Sequence, residues 1–235
     1  MSVLALALLG GVALSPTWDA ASGWQELRLG RALKPNVYEV EAAQAAAAGQ
    51  KGQPALLRVR SQASMSLWAR PVQVDLANSP VLCWRWRISA PLQGADMALK
   101  AGDDYAARVY VAFRVPPDSL SWATRAQLSI ARRLHGDAVP DAALNYVWDN
   151  RQPVGHHAPN AYTAQTRMVV QRSGAAQAGQ WVQERRDLLA DAKQWLPPGA
   201  RVTSIAVTAD TDNTGESVVA EFADLKFAQA GAACQ

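Results

Sequence analysis

Cysteine, net charge and enzymatic signatures are all scarce in this sequence. Lys and Arg total 23 against 20 Asp and Glu, leaving a formal charge of +3. That balance is too slight, and too evenly spread, for a nucleic-acid partner. The two cysteines, Cys83 and Cys234, have no CxxC partner, metal-ligand spacing or adjacent histidine, so nothing marks a thiol nucleophile or a zinc centre. One lies in an expected strand and the other in the tail, so they are read as free thiols, with a single disulfide in an oxidising compartment as the alternative. G-x-S-x-G, P-loop, dinucleotide and HExxH patterns are missing, which removes the common hydrolase and nucleotide signatures. No repeat of ~20–50 residues is visible, and no linker rich in Pro, Gly and Ser divides the chain, so residues 16–235 read as one domain.

The apolar start, MSVLALALLGGVALSP, is shorter than the roughly 20 residues a helix needs to span a bilayer. Residues 1–15 instead suit the apolar part of a signal peptide, with small residues from Gly11 to Ser15 where cleavage would fall, although no basic residue precedes them. The expectation is a periplasmic or secreted protein with no transmembrane span in its mature chain.

What is abundant is alternation. In VLCWRWRI, Leu82, Trp84, Trp86 and Ile88 share one parity, with Cys83, Arg85 and Arg87 on the other. YAARVYVAFR repeats this, with Tyr105, Ala107, Val109, Val111 and Phe113 opposite Arg108, Tyr110 and Arg114. Further strands are expected at residues 24–30, 56–60, 144–148, 166–171, 181–186, 202–209 and 218–227. Helical insertions are expected at 119–134, where Ala123, Ile130 and Leu134 form an apolar stripe opposite Arg125, Arg132 and Arg133, and at 187–196, stopped by Pro197 and Pro198. The Ala-rich stretch 41–54 is either a helical turn or a connector. The predicted fold is mainly β: a jelly-roll-like antiparallel β-sandwich with two short helical insertions.

Three strings in order, LKAGDDYAARVYVAF, ALNYVWDNRQPVG and SIAVTADTDNTGESVVAEFADLKF, resemble the bacterial family known as domain of unknown function 3047, over roughly Trp24 to Phe227. The resemblance implies an exported β-sandwich and no settled activity. The closing strand, Asp-rich turn and strand are also similar to the end of jelly-roll carbohydrate-binding modules.

Several constellations could carry chemistry. Asp210, Asp212, Thr214, Gly215 and Glu221 fall on positions 1, 3, 5, 6 and 12 of a calcium-loop pattern. Their flanks alternate like strands, which excludes an EF-hand and leaves two readings: a hairpin-type polar turn, or a calcium site using Asp210, Asp212 and Glu221. Asp103 and Asp104 are adjacent on an extended chain and so are poor partners in acid–base chemistry; one caps the loop and the other pairs with Arg108 or meets a ligand. If their strands share a sheet, Arg85, Arg87, Arg108, Tyr110 and Arg114 form one face suited to carboxylates, sulfates or sugar hydroxyls; the alternative is an ordinary ion-paired surface. Trp148 precedes a Pro–Gly loop carrying His156 and His157 and joins the candidate ligand-binding residues, while those neighbouring histidines read as a polar loop rather than a metal site. Together these residues predict a non-catalytic module for a glycan or anionic envelope ligand. A polysaccharide hydrolase or lyase using Asp103, Asp104 or Asp149 on the same scaffold is the alternative, as is a structural envelope protein.

Overall fold

A computed structural model describes residues 17–28, 32–45, 54–135 and 139–234; the signal-like segment 1–15 and most of the Ala-rich stretch lie outside them. Among the described residues, twelve strands are distributed over two sheets. The larger sheet contains β1 (Gln25–Leu27), β4 (Leu67–Val74), β6 (Tyr105–Arg114), β7 (Ala142–Asp149), β8 (His157–Pro159), β9 (Thr166–Ser173) and β11 (Arg201–Asp210), in the order β1-β4-β11-β6-β7-β9-β8. The smaller contains β2 (Val37–Glu41), β3 (Leu56–Gln62), β5 (Val81–Ile88), β10 (Val182–Asp187) and β12 (Ser217–Ala228), in the order β10-β5-β12-β3-β2. This is a β-sandwich. All ladders are antiparallel except β7 with β9. The loop after β7 carries the chain to the outer strand β8 before β9 returns between the two, so β9 runs the same way as β7.

Period-two burial explains the core. Leu82, Trp84, Trp86 and Ile88 of β5 are fully buried between the sheets, facing Val109, Val111, Phe113, Leu144, Tyr146 and Trp148 of the larger sheet. Each such side chain contributes about 1.5–3 kcal/mol on leaving water. The alternation breaks once in β6, where Ala106 and Ala107 both join this core. A register shift of β11 between Thr208 and Asp210 accompanies the break. The extra residue therefore turns Tyr105 to the opposite face from the one its parity predicts, into a cluster with Met97, Val147, Met168 and Val170.

Three strands escape the sequence reading. Pro71 interrupts β4, lacking a ladder N–H, and sits beside a register shift of β11. At the sheet edge, β2 is mostly exposed, with Glu39 and Glu41 paired to Arg58 and Arg60, so it has no apolar alternation to detect. The last, β8, is only three residues long.

Of the helices, α2 (Leu188–Trp195) follows the prediction, with Asp187 capping its N-terminus by accepting from the Ala190 amide at 2.9 Å. The other, α1 (Trp122–His135), does not bury its predicted stripe. Ala123 and Ile130 are exposed and Leu128 is the buried residue; the Leu134 side chain lies outside the described residues. Arg132, on the supposedly solvated side, is held by Asp141, so among the described side chains an ion pair and Leu128 hold this helix.

Cys83 and Cys234 are disulfide-bonded, with Cα atoms 5.4 Å apart, in place of the expected free thiols. After β12 the chain turns at Gln229–Ala232 and brings Cys234 against Val81, Cys83 and Ala228. A proximity created by a tail folding back leaves no trace in local sequence. The segment after Asp210 also departs from expectation, because it crosses from β11 in the larger sheet to β12 in the smaller one and so is no hairpin.

Candidate functional site

The predicted ligand face divides between the two sheets. Arg85 and Arg87 lie on β5 in the smaller sheet, whereas Arg108 and Tyr110 lie on β6 in the larger. Arg85 pairs with Asp224 at 2.6 Å, Arg87 pairs with Glu221, and both guanidinium groups stack on Trp181 at 5.3 and 5.1 Å from its centroid. Since β5 and β6 pack core to core, their polar faces point away from each other and form no common surface. Trp148 is also removed from the candidate surface. It is 1% exposed, its ring lies 5.7 Å from that of Trp86, and its Nε1 donates to the Gly174 carbonyl at 3.0 Å. Its parity places it in the core, and that outweighs the polar loop after it.

On the larger sheet's outer face, by contrast, distant segments converge on an open pocket of about 420 Å³. Asp103, Arg108, Tyr110 and Asp210 line it together with Asn160, Tyr162, Thr166, Asp212 and Asn213. A larger pocket of about 750 Å³, at the Arg114–Arg201 end of the same strands, has no aromatic side chain in its lining.

Local structure fixes each group. Gly102 precedes the two aspartates, and a Cβ there would meet the Asp96 backbone nitrogen at 2.7 Å, so only glycine fits the close approach of these two turns. Asp104, 1% exposed, then accepts from the Thr214 amide at 2.7 Å and from Asn213 N and Nδ2 at 3.3 and 3.1 Å. It thereby ties down the crossing segment, where Gly215 takes the left-handed conformation with φ 73°. Asp103 accepts from Tyr105 OH at 3.1 Å and from Asn160 Nδ2 at 2.6 Å. Although adjacent, the two carboxylates serve the same site, because the chain at 103–104 precedes the strand and is not extended through both positions.

Arg108, 5% exposed, pairs with Asp210 and lies 4.9 Å from the Tyr105 ring centroid. With its amide oriented to satisfy both groups, Asn145 accepts from Arg108 Nε at 3.0 Å and from Nη2 at 2.7 Å. Burial opposes the guanidinium charge, but Asp210 and Asp103 outweigh it, and the group stays charged. Burial pushes the Asp210 carboxyl well above the usual range; Arg108 counters this, and the neighbouring Asp212 and Asp104 push it further up. Asp210 Oδ2 faces Arg108, while Oδ1 is buried without a hydrogen-bond partner. Oxygens of Asp104, Asp210 and Asp212 lie within 4.8 Å of one another.

Glu221 is absent from that group. It lies on β12 in the smaller sheet between Arg58 and Arg87, so the spacing that suggested it as a calcium ligand has no spatial counterpart. His157 opens β8 with its ring 5.1 Å from that of Trp195.

Sequence reasoning missed Asn160, Tyr162 and Thr166. Tyr162, 57% exposed at the rim, donates to Asn213 Oδ1 at 2.8 Å, and Lys100 Nζ sits 5.5 Å from its ring centroid. The string PNAYTAQT contains these residues; its turn formers around an aromatic were the available signal.

The two sheets make the protein a β-sandwich, with this pocket on the outer face of the larger one. Residues 22–226 match the family described as protein of unknown function (DUF3047), and the chain belongs to that family. No curated protein matches it. Among solved structures it is similar to the xyloglucanase domain of NopAA, a type three effector from Sinorhizobium fredii, with 8% identity, coverage of 88% of this chain and 92% of that one, and TM-score 0.40. Endoglucanase Cel12A from Rhodothermus marinus shows 9% identity, coverage of 86% and 94%, and TM-score 0.41. SGBP-B from a xyloglucan utilization locus in Bacteroides uniformis shows 11% identity, coverage of 84% and 46%, and TM-score 0.34.

Proposed function

We propose that this protein is a binding module for a glycan or related polyhydroxylated envelope ligand, held in the pocket on the outer face of the larger sheet. One observation carries the reading: carboxylate, amide and guanidinium groups converge with the Tyr110 and Tyr162 rings on one open pocket. Sugar hydroxyls pair with planar donors and acceptors, and a pyranose face packs against an exposed ring such as Tyr162. Export to the periplasm or beyond belongs to the same proposal and is supported by the Cys83–Cys234 bond, since disulfides persist in oxidising compartments.

A glycan array followed by calorimetry on the best hit tests this reading. Tyr162→Ala and Asn160→Ala are expected to weaken binding about tenfold or more, equivalent to ~1.4 kcal/mol. Arg85→Ala with Arg87→Ala, on the opposite sheet, is expected to leave binding unchanged. Binding indifferent to the first pair would overturn the assignment of the pocket. Release of new reducing ends during incubation would replace the module with a polysaccharide-active enzyme.

A further inference from the structure

We infer that Asp104, Asp210 and Asp212 hold one divalent cation of the calcium class at the inner end of this pocket. One oxygen from each carboxylate lies within 4.8 Å of the others. Oxygens around a single calcium ion, each about 2.3–2.6 Å from it, are separated by no more than roughly 5 Å, so one ion can touch all three. A cluster of acids alone would not carry the inference. The independent observation is Asp210 Oδ1, an acceptor on a residue only 3% exposed, with no hydrogen-bond partner. Its sister oxygen already faces Arg108, so Oδ1 is the oxygen of this carboxyl left to meet an ion. Buried acceptors are rarely left unpaired, because desolvation without a partner costs free energy.

Charge points the same way. Asp103, Asp104, Asp210 and Asp212 gather around Arg108 as the cluster's buried cation, while Lys100 remains at the rim against Tyr162. A hard dication would offset the excess. The ligand set is all oxygen, with neither sulfur nor imidazole, which selects calcium or magnesium over the transition metals. An irregular carboxylate cluster, open on its pocket side to water, suits the flexible coordination of calcium better than the strict octahedron of magnesium. The site goes beyond the glycan reading and stands independently of it.

The test uses the full chain. Thermal melting in calcium, magnesium and EDTA is combined with terbium luminescence, in which the lanthanide stands in for calcium and nearby tyrosines sensitise it. At a hundredfold excess over Kd, calcium is expected to raise Tm by roughly 5–10 °C over EDTA. Asp212→Asn, at a half-buried position, is expected to fold, as circular dichroism would register, and to lose most of both the rise and the terbium signal. Glu221→Gln, at the twelfth position of the sequence pattern but on the other sheet, is expected to keep both. Equal melting in calcium and EDTA without terbium luminescence would overturn the site, and an undiminished response in Asp212→Asn would overturn its ligands. A magnesium rise as large as that with calcium would overturn the metal class. Tyr162→Ala separates the two proposals: it is expected to lose glycan and keep the calcium response.

Discussion

Arg108→Met tests whether the buried guanidinium organises the site. Its side chain is 6% exposed and that of its partner Asp210 is 4% exposed, so neither can fall back on water when the other is removed. Methionine retains most of the stem volume but leaves Asp210 with both oxygens unmet, because Oδ1 has no partner already. Breaking such a pair costs about 3–5 kcal/mol. Protonation of the stranded carboxyl limits the loss: burial already holds it well above its ordinary range in the parent, and removing the guanidinium that counters burial raises it further, so the two chains differ most at the higher pH. A loss of up to about 3–5 kcal/mol at pH 7, smaller at pH 5, is therefore expected. The direction agrees with linkage, since an acid raised above its unfolded value favours the fold below that value and loses the contribution as pH rises. Equilibrium urea denaturation in EDTA at both pH values measures it, with Asp210→Asn and the double variant completing a thermodynamic cycle. A deficit below about 1 kcal/mol at pH 7 with an unchanged slope, or strict additivity in the cycle, would refute the reasoning.

Three further outcomes follow from the same structure. Reducing Cys83–Cys234, or replacing both by Ala, releases a closure spanning 151 residues; the chain-entropy relation gives about 5 kcal/mol and measured disulfides typically about 2–4, so an unchanged urea midpoint in reductant would contradict the bond. Gly102→Ala places a methyl 2.7 Å from the Asp96 backbone nitrogen, an overpacking expected to cost about 1–3 kcal/mol and to lower terbium affinity by displacing Asp104; normal melting and binding would show that the turn yields. Burial works to raise the Asp141 carboxyl, but hydrogen bonds from Arg132 and the Val115 amide, with the charges of Arg132 and Arg114, hold it below the usual range. Its contribution is present above its unfolded value and lost as pH falls through the folded one, so Asp141→Asn should be less stable than the parent at pH 7, with the gap narrowing as pH falls below the ordinary 3.8; a constant gap would refute that coupling.

What the sequence displays locally, the fold repeats. Bounds for VLCWRWRI and YAARVYVAFR match β5 and β6 end to end, because one buried and one wet face impose period two on the side chains. Strands without that contrast stay hidden: β2 is exposed on most positions, and β4 carries a proline. Parity itself misleads where a ladder slips, as at Ala106 and Ala107, and it cannot tell which of two sheets a strand will join. That second gap put Arg85 beside Arg108 in expectation when a hydrophobic core lies between their strands.

The ambiguity of TADTDNTGES, turn or cation loop, has the same origin. Read alone, the segment can only be matched to loop patterns, and pattern matching supplied Glu221 as the third acid. The fold supplies Asp104 instead, from a segment more than a hundred positions earlier, whose carboxylate accepts from the amides of Asn213 and Thr214. The two readings then stop being rivals. The turn is held in shape by a carboxylate from outside it, and that carboxylate brings the local negative charge to the level at which a cation becomes the natural counterpart. LKAGDDYAAR and TADTDNTGES are thus two halves of one site, joined because β6 and β11 are neighbours in register, with Tyr105 opposite Asp210. Pairing of that kind is fixed by which strand lies beside which, and it is the step at which a linear reading of residues reaches its limit.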